Sequence, residues 1–490
     1  MAANDDKEAA RNHFLNALEI NPVYADAYYH YALLLVELKD FEEAKNNLEK
    51  VTEVDQNYAL AYYQKALLLT NPDDFEDARK NFETAIDINP GFANAHYYMG
   101  KLLAGGIATD KEGTIVDRTD LAFAKECFLQ VLKIDSGHTK ALYNLARILM
   151  QEKKLKDAKV QLGKALAIDP GYSKAHFLLA QTLVALGAKQ KAKTHFKASI
   201  KHHEENPPAH YQLGKVLAEE GKSDLAEEHL RKAVTLDPEH AQAHYQLALL
   251  LTALDDPGPA KKHFFRALEI DPEFALAYYH LAHHLERHGD VNEAKIHFQK
   301  ATDVDQNFVD AYFHLARILN SPSEYDMAVR NYETAIEIDP QHVKGHYCFA
   351  KLKAGGQRLT PNGTLVDDSD PVIAEHHFRK AIEIDSSFPK AHFRLALLLR
   401  EDGRYEEAQK HYLEAIRINS KYAEAHYHLA VLLMDPAAEK ALAPKKPTSQ
   451  PKTPAKRPAK KSAAKRPAAK AAPKKKAAVK RGSAAAGKRK

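Results

Sequence analysis

An interval of 34 residues governs this sequence. It is plain between 237 and 272, where Asp237-Pro238 leads into Ala243-His244-Tyr245-Gln246-Leu247-Ala248, then Ala260, Phe264 and Ala267, then Asp271-Pro272. Equivalent junction residues stand at Asn21, Asp55, Asn89, Asp135, Asp169, His203, Asp237, Asp271, Asp305, Asp339, Asp385 and Asn419, so nine intervals are 34 residues long and two are 46. A fixed period in this range marks a stack of small repeats, each burying its apolar face only against its neighbours. The 490 residues therefore predict one long stack rather than about three separate domains.

Within each repeat the apolar positions fall three and four apart, which predicts two helices, one near Asp26–Leu35 and one near Phe41–Val51 and their equivalents. Breakers such as Lys39-Asp40, Glu220-Gly221 and Asp402-Gly403 separate them, and Pro22, Pro90, Pro170, Pro238, Pro272 and Pro340 follow the second helix. Three columns hold without exception. The first helix carries Ala or Gly from Ala32 to Ala430, the second carries Ala from Ala44 to Ala408, and four residues later stands Leu, Phe or Tyr, from Leu48 to Tyr412.

These columns resemble the tetratricopeptide repeat (TPR) family over most of the chain. The resemblance implies an all-α, right-handed superhelical solenoid of about eleven helix-turn-helix repeats, binding extended peptides or other proteins in a concave groove lined by the first helices. Where the family often has Trp, this chain has Tyr28, His96, Leu142 or His244 and their equivalents, so a different ring fills most of those slots.

A longer period lies above the short one: residues 21–185 match residues 271–435 at an offset of 250, with a 12-residue insertion at the same place in both copies. The insertions, near 105–118 and 355–368, carry glycine turns between short β-prone segments and are predicted to be β-hairpins, with Asp120 and Asp370 among the N-cap candidates of the helices that follow. No Lys-Ser or Lys-Thr follows the glycines at P-loop spacing, so they read as lengthened turns. Residues 1–22 read as a lone helix acting as a cap or half repeat, 23–436 as the solenoid, and 437–490 as a disordered tail rich in Lys, Ala and Pro. The half repeats at the two ends suggest an alternative function, a cytoplasmic structural protein that polymerises head-to-tail.

Charge is unevenly placed. Of 70 Lys and Arg residues, 18 lie in 441–490, which has no Asp or Glu, leaving 52 against 66 acidic residues before it. The clusters Lys456-Arg457-Pro458-Ala459-Lys460-Lys461 and Lys465-Arg466-Pro467-Ala468-Ala469-Lys470, with Lys474-Lys475-Lys476, resemble a linker-histone tail and a bipartite nuclear import signal. They imply nuclear delivery, with the cytoplasm as the alternative, and non-specific DNA or RNA binding by counterion release. No apolar run is long enough to span a bilayer, so no membrane partner is expected. Cys127 and Cys348 lie in no metal-type spacing and read as reduced thiols of an intracellular protein.

Candidate binding residues are those on the first helices beside the core columns. They are Lys101, Lys140, Tyr143, Arg147, Lys174 and Lys215 in the first copy, and Arg317, Lys344, Lys351, Lys390, Phe393 and Arg394 in the second. Lys101 with Lys351 and Lys140 with Lys390 are equivalent at the 250-residue offset and flank the hairpins, which suggests a groove for acidic or phosphorylated peptides. His280, His284 and His288 stand four apart on one helix but belong to repeat columns, so no metal is expected. No Ser, His and Asp set stands outside the repeat pattern, and no cofactor motif is present. The reading is a non-enzymatic scaffold or adaptor.

Overall fold

The structure, a computed structural model, describes residues 2–109, 115–360 and 362–442, and the basic tail clusters lie outside them. Eleven helix pairs follow one another from Ala25–Leu38 with Phe41–Val54 to Pro389–Glu401 with Tyr405–Ile418, an all-α solenoid, preceded by helix Ala2–Ile20 and followed by Ala423–Leu433 and Pro436–Leu442. The chain divides into two compact units, Met1–Leu395 and Ala396–Lys490.

In the first unit, the two helices of a repeat pack most closely, and each second helix then packs on the first helix of the next repeat. The conserved columns form that contact: Ala248, Ala260, Phe264 and Ala267 are all fully buried. Gly214 replaces Ala in the small column where a Cβ would lie 2.8 Å from the Leu230 side chain, so a methyl group there requires Leu230 to shift. Burying an aromatic side chain such as Phe264 contributes about 1.5–3 kcal/mol.

The junction column has a mechanism. Except at His203, the second helices end at an Asp or Asn whose side chain accepts the backbone N–H two residues on, as in Asp55 from Asn57 (2.9 Å), Asp135 from Gly137 (2.9 Å) and Asp339 from Gln341 (2.9 Å). This Asx turn stops the helix and aims the chain at the next. A ring then locks consecutive repeats together. The aromatic residue after the His/Tyr column packs on the ring preceding the next repeat's first helix, with centroids 5.1 Å apart for Tyr29–Tyr58, 4.9 Å for Tyr63–Phe92, 4.8 Å for Tyr245–Phe274 and 5.0 Å for Tyr347–Phe388.

The His column is a hydrogen-bonded pair system. His176, His210, His244 and His346 meet the carbonyls of Pro170, Glu204, Pro238 and Pro340 through Nε2, at 3.0, 3.1, 3.2 and 3.1 Å. A carbonyl only accepts, so Nε2 carries the proton and Nδ1 is left as an acceptor. Facing it are the Nδ1 atoms of His195, His229, His263 and His377, at 3.0, 3.0, 2.9 and 2.8 Å, which therefore donate. Other repeats place Tyr and Asn at these two positions, as in Tyr62 with Asn81 and Tyr312 with Asn331.

Both insertions are antiparallel hairpins, Ile107–Thr109 with Ile115–Asp117 and Gln357–Leu359 with Leu365–Asp367, set between the two helices of their repeats. Asp120 and Asp370 cap the next helix, accepting from the amides of Phe123 and Ile373 at 2.9 Å. Each hairpin rests on the 3-10 turn of the preceding repeat, Pro72–Asp74 or Pro322–Glu324. The second is pinned by the Tyr325 hydroxyl donating to the Asp368 carbonyl (3.1 Å), and Gly356 leaves no room for a Cβ against the Tyr325 ring.

In the second unit, helix Pro436–Leu442 packs on Tyr405–Ile418 and Ala423–Leu433. Residues 437–442, read from sequence as the start of the tail, are thus helical: Ala438 is fully buried, and the low-complexity composition begins only beyond it.

Burial, reinforced by the partner histidine, pushes His263 and His377 down to about 4, and His195, His210 and His229 shift in the same direction. An unfolded chain titrates its histidines near about 6.5 and binds more protons below that pH. Stability is therefore complete above about 6.5 and falls as pH drops towards about 4. Urea midpoints at neutral and mildly acidic pH test this, and H244Y combined with H263N, the pair found at Tyr312 and Asn331, is expected to reduce the loss.

Candidate functional site

First helices of successive repeats touch one another, as Thr139–Gln151 does Ser173–Ala185 and Pro207–Glu219 does Ala241–Ala253. Three columns at spacings of four and three residues line this face, represented by Lys140, Asn144 and Arg147. From 93 to 253 these columns hold Lys101, Lys140, Arg147, Lys174 and Lys215 and no carboxylate. Lys101, Lys140, Arg147 and Lys174 are exposed and Lys215 is half-buried.

Their partners set these cations apart. Second-helix lysines are tied to carboxylates of the following repeat, as in Lys125–Glu152 (2.8 Å), Lys193–Glu220 (2.7 Å), Lys261–Glu293 (2.8 Å) and Lys295–Glu324 (2.5 Å). Among the described residues Lys101, Lys140, Lys174, Lys215, Lys344, Lys351, Lys390 and Arg394 make no ion pair. The Lys101 ammonium lies 5.2 Å over the Tyr98 ring, and Arg147 donates to the Asn144 side chain at 3.3 Å.

Three of the sequence candidates are engaged elsewhere. Arg317 donates to both oxygens of Glu286 at 2.6 and 2.7 Å. Phe393 is buried, and Tyr143 is half-buried against Tyr172 at 5.4 Å, burial pushing its hydroxyl pKa up. The Tyr143 ring thus serves the packing between repeats.

Beside Lys101 lies a cleft of about 290 Å³ lined by Leu67, Leu69, Phe82, Tyr98 and Leu102. Helix Ala59–Leu68, which supplies Leu67 to it, is short and ends before Asn71-Pro72. Pro72 was the sequence signal for that early end.

His280, His284 and His288 do not form a shared site. His284 is buried between Thr252 (3.2 Å) and the Pro257 carbonyl (3.2 Å), and His280 lies against Tyr245. The structure instead gathers His283, Glu286 and His314, whose donor atoms all lie within 4.8 Å of one another.

Tetratricopeptide repeat models match residues 25–58, 59–92, 207–240, 241–274, 275–308 and 309–342, with further matches at 149–215, 377–410 and 396–435. Most of the two hairpin-bearing repeats falls between the matched stretches. No curated protein matches the chain. Among solved structures, YrrB, described as a TPR protein with an unusual peptide-binding site, is 24% identical over 38% of this chain and 96% of its own, with a TM-score of 0.35. PilF of Pseudomonas aeruginosa is 20% identical over 44% and 97% (TM-score 0.40), and yeast Tom70 is 17% identical over 90% and 96% (TM-score 0.34). The 34-residue matches begin where the first helices begin, and the chain belongs to the tetratricopeptide repeat family of protein-interaction scaffolds.

Proposed function

We propose that the protein is a non-enzymatic adaptor that holds an extended acidic segment of a partner protein along its first-helix face, with the basic tail directing it to the nucleus or to nucleic acid. The observation that carries this reading is the run of cations on that face without ion partners. An array of like charges destabilises its own repeats slightly, and an anionic ligand removes that repulsion. The cleft beside Lys101 offers an apolar anchor next to the charge. Charge reversal at Lys101, Lys140, Lys351 and Lys390 is expected to weaken binding of an acidic peptide at least about tenfold, about 1.4 kcal/mol, with a shallower salt dependence. Unchanged affinity and salt slope would count against the groove.

The tail has a separate test. Removing residues 443–490, which spares helix Pro436–Leu442, is expected to abolish nuclear accumulation and salt-sensitive DNA or RNA retention while leaving peptide binding intact. Unaltered location and retention in the truncated protein would remove the tail from the function.

A second reading, head-to-tail self-assembly, is favoured by Ala430. Its column is buried in every earlier repeat, yet Ala430 is exposed, and Tyr427 beside it is 65% exposed. Helix Ala2–Ile20 carries the matching second-helix columns in Ala10 and Phe14, both half-buried, so a second copy's Ala2–Ile20 fits this face. Such a heterologous contact propagates unless it closes into a ring. Sedimentation of the full chain is expected to show mass rising with concentration and A430E holding it monomeric; a wild-type monomer throughout, or equal assembly by A430E, sinks the reading.

A further inference from the structure

We propose that His283, Glu286 and His314 bind a divalent metal ion of the zinc class, and that Glu286 exchanges Arg317 for the metal when it does so. The proposal begins with the donor set. Two imidazole nitrogens and one carboxylate suit Zn²⁺ or its first-row neighbours and not Mg²⁺ or Ca²⁺, which take oxygen ligands. His283 Nδ1 already lies 3.6 Å from Glu286 Oε2, and the two imidazole rings are 4.2 Å apart. A tetrahedral ion with bonds of about 2.0–2.2 Å holds its ligands about 3.3 Å apart. The widest donor separation here is no more than 4.8 Å, so closure needs rotation of partly exposed side chains and no movement of the helices.

The rings are held from beneath. Phe298, fully buried, meets His283 edge-on at 5.0 Å and stacks on His314 at 5.9 Å, while Tyr279 flanks them at 4.7 and 5.8 Å. This is the kind of supporting shell that fixes ligand orientation before an ion arrives. The three ligands come from two helices of neighbouring repeats, Ala275–Arg287 and Val309–Ile318, so a bound ion would also tie the repeats together.

The duplication supplies an internal control. At an offset of 250 the same four places hold Leu33, Val36, Gln64 and Leu67, in helices Ala25–Leu38 and Ala59–Leu68 of the same design. Packing between these repeats therefore does not require two histidines, a glutamate and an arginine. All four polar residues occur together in the second copy only, as a ligand set with its counterion.

Arg317 explains how the cluster exists without metal. It neutralises Glu286 at 2.6 and 2.7 Å, and its bond to His314 Nδ1, at 3.4 Å, is long enough to yield to an ion. Metal binding would release the guanidinium. On the groove reading given above, the freed Arg317 would join Lys344 and Lys351 in contacting an acidic partner, so that metal would strengthen that contact.

The test uses the metal-stripped full-length protein titrated with Zn²⁺ by calorimetry and with Co²⁺ by visible absorption, with no peptide present, which keeps it independent of the groove reading. One equivalent is expected to bind with a tetrahedral Co²⁺ spectrum. H283L and H314Q, which install residues the chain tolerates at Leu33 and Gln64, should each weaken binding by more than about tenfold, the least expected even from losing an outer-shell partner. R317L should tighten it, because the competing cation is gone, and H280Q and H288Q should leave it unchanged. Absence of stoichiometric binding, uptake that survives H283L with H314Q, or weaker binding in R317L would overturn the proposal.

Discussion

The crossing of the two helices within a repeat is the contact on which everything else in this structure depends. At Ala248 and Ala260 the helices approach with no side chain larger than a methyl group between them, and Phe264 fills the space that opens on the next turn. A methylene more or less at either place costs either strain or a cavity, because the interior is packed to crystal-like density. Each repeat is stabilised only by itself and its neighbours, so a small column beside a large one recurs in every repeat, as Ala or Gly with Leu, Phe or Tyr. The residues left free to differ are those on the exposed first-helix columns and in the turns.

Beside that crossing, the two helices of a repeat are also joined by a polar link that is exacting. The Nε2–H of His244 is committed to the Pro238 carbonyl, which fixes the tautomer and makes Nδ1 of His263 a donor. A second proton on His244 Nδ1 would set two N–H groups against each other at 2.9 Å. This is why a pair of histidines, ordinarily half-charged near neutrality, serves here as a neutral structural link. Elsewhere in the chain Tyr and Asn stand at these two positions, with no imidazole at either.

The fold was legible because its signals are local and repeated. A 34-residue period, three small or large columns and Asp or Asn at all but one junction state the helices, their close face and their ends; the glycine-bearing insertions state the hairpins. The site was legible only in part, because its decisive contacts join residues on different repeats. Lys101 and Arg317 occupy the same column, and nothing local reveals that Glu286, 31 residues before Arg317, has claimed one and left the other free. The partner of each ring in the ladder was hidden for the same reason, since Tyr245 meets a residue 29 positions on. With histidine, counting four apart along one helix selected His280, His284 and His288, but that stripe winds into the core at His284, which is buried. The cluster that forms takes His283 and Glu286, three apart, and completes itself from the next repeat.

The charge of the body as a whole, 52 basic against 66 acidic residues up to 440, says little about what the first-helix face attracts. Away from that face, Glu152, Glu220, Glu293 and Glu324, in the turns or at the start of second helices, hold second-helix lysines of the repeat before. The face is left cationic although the body is acidic. On the adaptor reading proposed above, its spacing also narrows the partner. Neighbouring packed helices lie about 8–10 Å apart, and an extended polypeptide advances about 3.3–3.6 Å per residue. Successive cations in one column, such as Lys101 with Arg147 or Lys140 with Lys174, therefore fall opposite side chains about three residues apart. A segment with acidic or phosphorylated residues at every third position matches that interval, whereas a continuous acidic run would leave most of its charges without a partner.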